Sequence, residues 1–112
     1  MNEDNKQCFE LLKKLGVKPN LKGFDYIIAA VALRKAENIP VQEIYQTLAQ
    51  KNNETWTAVE RAIRTAKGDL LKNKAKTKVF DDVFGNIIDN RKNDITNGDF
   101  IACLSNYLKY EG

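Results

Sequence analysis

Histidine is absent from this chain of 112 residues, and the absence removes a large share of enzyme chemistry. Without imidazole there is no His-activated serine or cysteine nucleophile and no zinc site with His ligands. Cysteine is scarce too: Cys8 and Cys103 stand far apart, Cys8 beside Phe9 and Cys103 beside Leu104. Two thiols cannot complete a four-thiolate metal site, and apolar helical neighbours mark them as reduced core thiols of a cytoplasmic protein. The glycines are isolated; Gly23, Gly68, Gly85 and Gly98 read as turn or cap residues, and no Gly-rich phosphate loop is formed. The longest apolar run, Tyr26 to Leu33, is far too short to cross a bilayer, so no membrane association is expected. The start, Met1-Asn-Glu-Asp-Asn5, is polar and acidic, unlike a secretory leader. The adjacent carboxylates Asp81 and Asp82 point in different directions on a helix, so they make neither an acid–base pair nor a metal site. The expectation is a protein that is not an enzyme and that holds no metal and no cofactor.

What the chain does have is helical periodicity. Its length suits one domain, residues 1–112, with a modest core. A first helix is expected from about Asn5 to Leu15, with Leu11, Leu12 and Leu15 inward; Gly16 ends it and Pro19 blocks its continuation. A second runs from about Phe24 to Glu37, with Tyr26, Ile27, Ala30 and Val31 on a broad apolar face. Asn38 and Pro40 break the chain, and Pro40 suits the start of a third helix, Val41 to Lys51, which buries Ile44, Tyr45, Leu48 and Ala49. After the turn Asn52-Asn-Glu-Thr55 a fourth helix begins at Trp56. Beyond Gly68 its pattern weakens, and Lys72 to Lys78 reads as a loop or frayed end. Val79 to Phe84 forms a short helix stopped by Gly85, and Asn86 to Asn93 a polar connection carrying Ile87 and Ile88. A last helix from Thr96 or Asn97 to Lys109 turns Phe100, Ile101, Leu104, Tyr107 and Leu108 inward. No strand-length alternation persists, so the fold class is all-α, a single compact domain of about six helices.

The third and fourth helices form a helix–turn–helix pattern. Ala49 is the small residue at the crossing, Asn53 tolerates the left-handed turn, and Val59, Ala62 and Ile63 line the inner side of the second helix. Val59, Ala62, Ile63, Ala66 and Leu70 repeat at the spacing that buries one helix face. Thr57, Glu60, Arg61, Arg64 and Gly68 repeat on the opposite face. Thr55 is a good N-cap, and Thr57 competes because Thr57-x-x-Glu60 reads as a capping box. Charge gathers in the same region. Lys51 to Lys78 holds eight cations against Glu54, Glu60 and Asp69, a net +5 that leaves −2 for the remainder. Clustered cations beside a rigid helix that presents arginines are the footprint of a phosphate-binding surface.

The residues around this motif carry a family resemblance. Val59-Glu-Arg-Ala-Ile-Arg64 followed by Ala66, and preceded by Ile44-Tyr-x-x-Leu-Ala49, resembles the DNA-binding domain of the stage-zero sporulation response regulator. Leu15-Gly-Val17, Leu21-Lys-Gly-Phe-x-Tyr26, Phe84-Gly85 and Thr96-Asn-x-x-Phe-Ile-Ala102 look like landmarks of that domain in the same order, so the resemblance spans about Leu15 to Leu108. It implies a six-helix fold, binding to a specific duplex and transcriptional control in spore-forming bacteria. Glu60, Arg61 and Arg64 match the family's charged recognition-helix positions, on a helix of about residues 55–71. Arg61 offers a forked donor pair to guanine, Glu60 can accept from a cytosine amino group, and Arg64 reaches a base or a phosphate. Thr55 and Thr57 suit a phosphate at the helix N-terminus. Lys51, Thr65 and Lys67 complete the expected DNA-facing set.

Departures are equally specific. Ala58 stands where the family usually has arginine, Thr65 where it has histidine, and Asn93-Asp-Ile-Thr96 replaces a lysine-proline form. Nothing in an all-α chain resembles the family's phosphorylated receiver domain, so the sequence reads as an isolated output domain or a naturally short relative. The leading expectation is a sequence-specific regulator of double-stranded DNA, paired as a homodimer on adjacent sites and in contact with RNA polymerase or its sigma subunit. The alternative is a receiver-less interaction module that antagonises a full-length regulator or the polymerase. A nonspecific single-strand binder would need exposed aromatics along a basic groove, for which Trp56 is the obvious candidate.

Overall fold

Each helix in the computed structural model, which describes residues 3–19, 21–73, 78–85 and 94–110, begins and ends where local chemistry permits. Among these residues there are six helices and no strand: α1 (Glu3–Lys14), α2 (Lys22–Glu37), α3 (Val41–Lys51), α4 (Trp56–Asn73), α5 (Lys78–Phe84) and α6 (Asn97–Tyr110). α1 opens with Glu3 and Asp4 and closes with Lys13 and Lys14, charges that complement the helix dipole. Gly16 follows at φ +89°, and Val17 N–H returns to the Leu12 carbonyl at 3.0 Å. α2 stops at Asn38, which takes φ +52° while its N–H caps the Arg34 carbonyl. Gly85, at φ +52°, closes α5 in the same way. Thr96 caps α6 by accepting a hydrogen bond from the Asp99 amide at 3.1 Å.

α2 is the centre of the bundle and touches α1, α3, α4 and α6. Its Phe24, Ile27, Ala30 and Val31 are fully buried, alongside Leu12, Ile44, Ile63, Leu70, Phe100 and Leu104 from the surrounding helices. Each such side chain contributes about 1.5–3 kcal/mol of burial free energy. Phe84 stacks on Phe100 at 5.7 Å and 11°, which seats α5 against α6.

α1 starts at Glu3, two residues before the expected Asn5, and α5 at Lys78, inside the expected loop; two further boundaries differ from the sequence expectation for packing reasons. α2 begins at Lys22 and so takes Gly23 inside its first turn. There a Cβ would lie 2.1 Å from the Ala62 carbonyl oxygen and 2.7 Å from its carbon. Gly23 is therefore neither turn nor cap; it is the missing side chain that lets the backbone of α4 rest against α2. α4 also continues past Gly68 to Asn73, because Leu70 and Leu71 remain buried and carry the helix beyond a residue that costs about 1 kcal/mol. The expected loop character of 74–77 and the expected connection at 86–93 lie outside the described residues.

Candidate nucleic-acid interface

The turn between α3 and α4 is closed by its own polar groups. Asn52 directs both its backbone N–H and its side-chain amide to the Leu48 carbonyl, at 3.1 and 2.7 Å. Asn53 adopts φ +53°, and Glu54 N–H returns to the Ala49 carbonyl at 2.9 Å. Thr55 then caps α4, its hydroxyl accepting from the Ala58 amide at 3.1 Å and lying 3.1 Å from the Thr57 hydroxyl. The amides of Trp56 and Thr57 find no acceptor among the described residues, so they face outward as donors at the positive end of the helix.

Thr55 has won the competition for the cap, and Glu60 is thereby released from a capping box. It pairs with Arg64 one turn on, at 3.3 Å. An i,i+4 pair whose arginine is 58 % exposed is worth only about 0.3–0.5 kcal/mol, so a phosphate or base can displace it. Arg61 is exposed and, among the described residues, has no carboxylate within ion-pairing distance. Lys51, Thr57 and Thr65 are also exposed. The inner face of the same helix is sealed: Val59 and Ile63 are fully buried, as is Ala66.

Lys67 departs from its expected place. It is 5 % exposed, its ammonium donates to the Ile95 carbonyl, and Asp94 lies 3.4 Å away. The reason is packing from a distant segment. Lys67 follows Ile63 by four residues but Glu60 by seven, so its stem runs along the border of the inner face, and the chain that leads into α6 takes its ammonium. Lys67 thus anchors that chain to α4 with its ammonium engaged by protein, unlike the exposed Arg61.

The anchoring builds a cleft that sequence spacing does not reveal. Asn97 donates from its side-chain amide to the Glu60 carbonyl at 3.2 Å, holding the first turn of α6 against α4. Between them, and flanked by the start of α3, lies a cleft of about 650 Å³ lined by Tyr45, Trp56, Thr57, Glu60, Arg61, Arg64 and Lys67 and by 96–98. Trp56 stacks on Tyr45 at 6.4 Å and 19°, and it is 44 % exposed. Burial pushes the Tyr45 phenol above its ordinary range, so it stays neutral and serves as the wall behind the indole.

Nothing in this arrangement activates a nucleophile. Burial pushes the Cys8 thiol up to about 12 and raises that of Cys103, the direction opposite to a reactive thiolate. Among the described residues no group of three Cys, Asp or Glu is placed to hold a metal ion, and no helix is long and apolar enough to cross a membrane. What the surface offers is a helix N-terminus, two arginines and hydroxyls around a cleft open to solvent. A family model described as Sporulation initiation factor Spo0A C terminal matches residues 8–108. With nearly the whole chain matched and the six-helix bundle in place, the protein belongs to this family of DNA-binding effector domains of sporulation regulators.

Proposed function

We propose that α4 reads a specific double-stranded sequence in the major groove, with Arg61 as the principal base-reading residue. The observation that carries this reading is the asymmetry of α4: its inner face is sealed, while Arg61 stands exposed on the outer face with no ion-pair partner among the described residues. A guanidinium held on a rigid helix and not engaged by protein offers its fork to guanine O6 and N7. Arg64 exchanges its loose tie to Glu60 for a phosphate, which frees Glu60 to accept from a cytosine amino group. Thr57, the amides of 56 and 57, which have no acceptor among the described residues, and Lys51 take phosphates at the two ends of the turn. Thr55 contributes through its cap, and Thr65 lies one turn beyond Arg61 on the same side. Lys67 is left out of the contact set, since its ammonium is already engaged.

So few contacts support only weak binding by one copy. Two copies on adjacent half-sites, and contact with RNA polymerase or its sigma subunit, complete the reading as a cytoplasmic transcriptional regulator. Selection of bound duplexes from a random pool tests it directly. The expected result is a shared short motif, with affinity that falls steeply as salt rises. Equal binding to all duplexes removes the specific reader. Capture of a full-length regulator or of polymerase with no duplex binding supports the interaction-module alternative.

A further inference from the structure

An indole 44 % exposed at the first residue of α4 is poorly explained by folding alone. Tyr45 beneath it is 4 % exposed, and an aliphatic residue or a smaller ring would cover it. A tryptophan carries about 150–250 Å² of surface, and nearly half of this one is left in water on the face that bears the arginines. Stacking on Tyr45 at 19° fixes the ring plane, so the exposed part is presented in one orientation, not as a mobile side chain.

We infer that Trp56 is a further specificity-determining residue, one that takes the 5-methyl group of a thymine in the major groove. The inference rests on the groove-reading function proposed above. Trp56, Glu60 and Arg64 lie at successive i,i+4 positions and so share one stripe of α4. Along the axis, Trp56 precedes Glu60 on that stripe by about 6 Å, which is close to two base steps of about 3.4 Å. A helix laid in the groove with Glu60 on a base edge therefore brings the indole near a base about two steps away. The indole has a single donor and no acceptor, so it reads hydrogen-bonding edges poorly. The one apolar feature on a major-groove edge is the thymine methyl, and that is the group an apolar ring wall selects. A stacking platform for single strands is a worse fit, because Tyr45 already covers one face of the ring and strand tracking uses successive aromatics.

The test uses the duplex recovered from the selection and replaces its thymines by uracil one at a time, which removes only the methyl. Trp56 is the sole tryptophan, so its emission reports the site in the same titration. One position, close to the base pair whose reading Glu60→Ala erases, is expected to lose about fourfold in affinity, the worth of one buried methyl. The emission is expected to shift on binding, and Trp56→Ala is expected to abolish the uracil effect at that position. The wild-type arm needs no variant, so instability of Trp56→Ala leaves the test intact. Specific binding in which no uracil costs more than about twofold overturns the inference and spares the groove-reading function. Equal weakening of all duplexes by Trp56→Ala also overturns it, in favour of a sugar contact. Tighter binding to single strands overturns it in favour of stacking. Absence of binding to any duplex overturns both readings together.

Discussion

Arg61 and Lys67 sit six residues apart on one helix, both cationic, and the fold uses them in opposite ways. Arg61 is exposed with no carboxylate partner among the described residues, whereas Lys67 is 5 % exposed with its ammonium on the Ile95 carbonyl and near Asp94. Both line the same cleft, but the chain that leads into α6 reaches only the Lys67 ammonium. Tertiary packing, not charge, decides which cation meets a ligand and which one holds the scaffold. A count of basic residues treats them alike, and it is the wrong measure of a binding surface.

The inner face is where the largest effect is expected. Gly23→Ala drives a Cβ into the Ala62 carbonyl, and because the obstacle is backbone it cannot rotate away. A loss of more than about 3 kcal/mol of stability is expected in denaturant titration, with the seating of α4 lost along with it. A cost below about 1 kcal/mol would mean the crossing is looser than described.

On the outer face, Arg61→Ala is expected to leave the melting temperature unchanged and to cost about 1–3 kcal/mol of discrimination between the selected duplex and a random one. Competition binding at fixed salt measures this. Lys67→Met should show the reverse pattern. Its stem volume is retained, but the Ile95 carbonyl loses this donor and Asp94 one of its partners, so about 1–3 kcal/mol of stability is lost. The slope of log affinity against log salt should stay unchanged, whereas loss of a phosphate-contacting lysine lowers it by about 1. A lowered slope for Lys67→Met would restore Lys67 to the DNA-facing set and erase the contrast with Arg61.

The smallest effect is expected at the helix start. Thr55→Ala removes the cap on the Ala58 amide and should cost about 1 kcal/mol of stability. Thr55→Ser should recover most of it, because a hydroxyl is all the cap needs. If serine fails to rescue, the methyl group of Thr55 matters more than its hydroxyl.

Much of this was legible in the chain. Asn38 and Asn53 were readable as stops because asparagine tolerates positive φ, and Pro40 marked the start of α3. The apolar spacing from Val59 to Leu70 is enough to orient α4, but it leaves Lys67 open, four residues after Ile63 and seven after Glu60. Its burial depends on the chain before α6, which meets α4 only in the tertiary structure. Gly23 was hidden for a different reason: a glycine in a helix start looks like a turn residue until the helix that crosses it is known. The cleft was hidden too, because Asn97 and Glu60 are far apart in sequence and meet through a side-chain-to-backbone hydrogen bond.

The sequence by itself determined that the chain is all-α, where most of its helices begin and end, and that one helix turns an apolar stripe inward and arginines outward. These follow from periodicity and capping, which act within a few residues. Only the tertiary structure decided that Gly23 is a point of helix contact, that Lys67 is an anchor and that Trp56 is held against Tyr45 at the mouth of a cleft. Those outcomes depend on which helices come together, and contacts between distant segments leave no local periodicity to read.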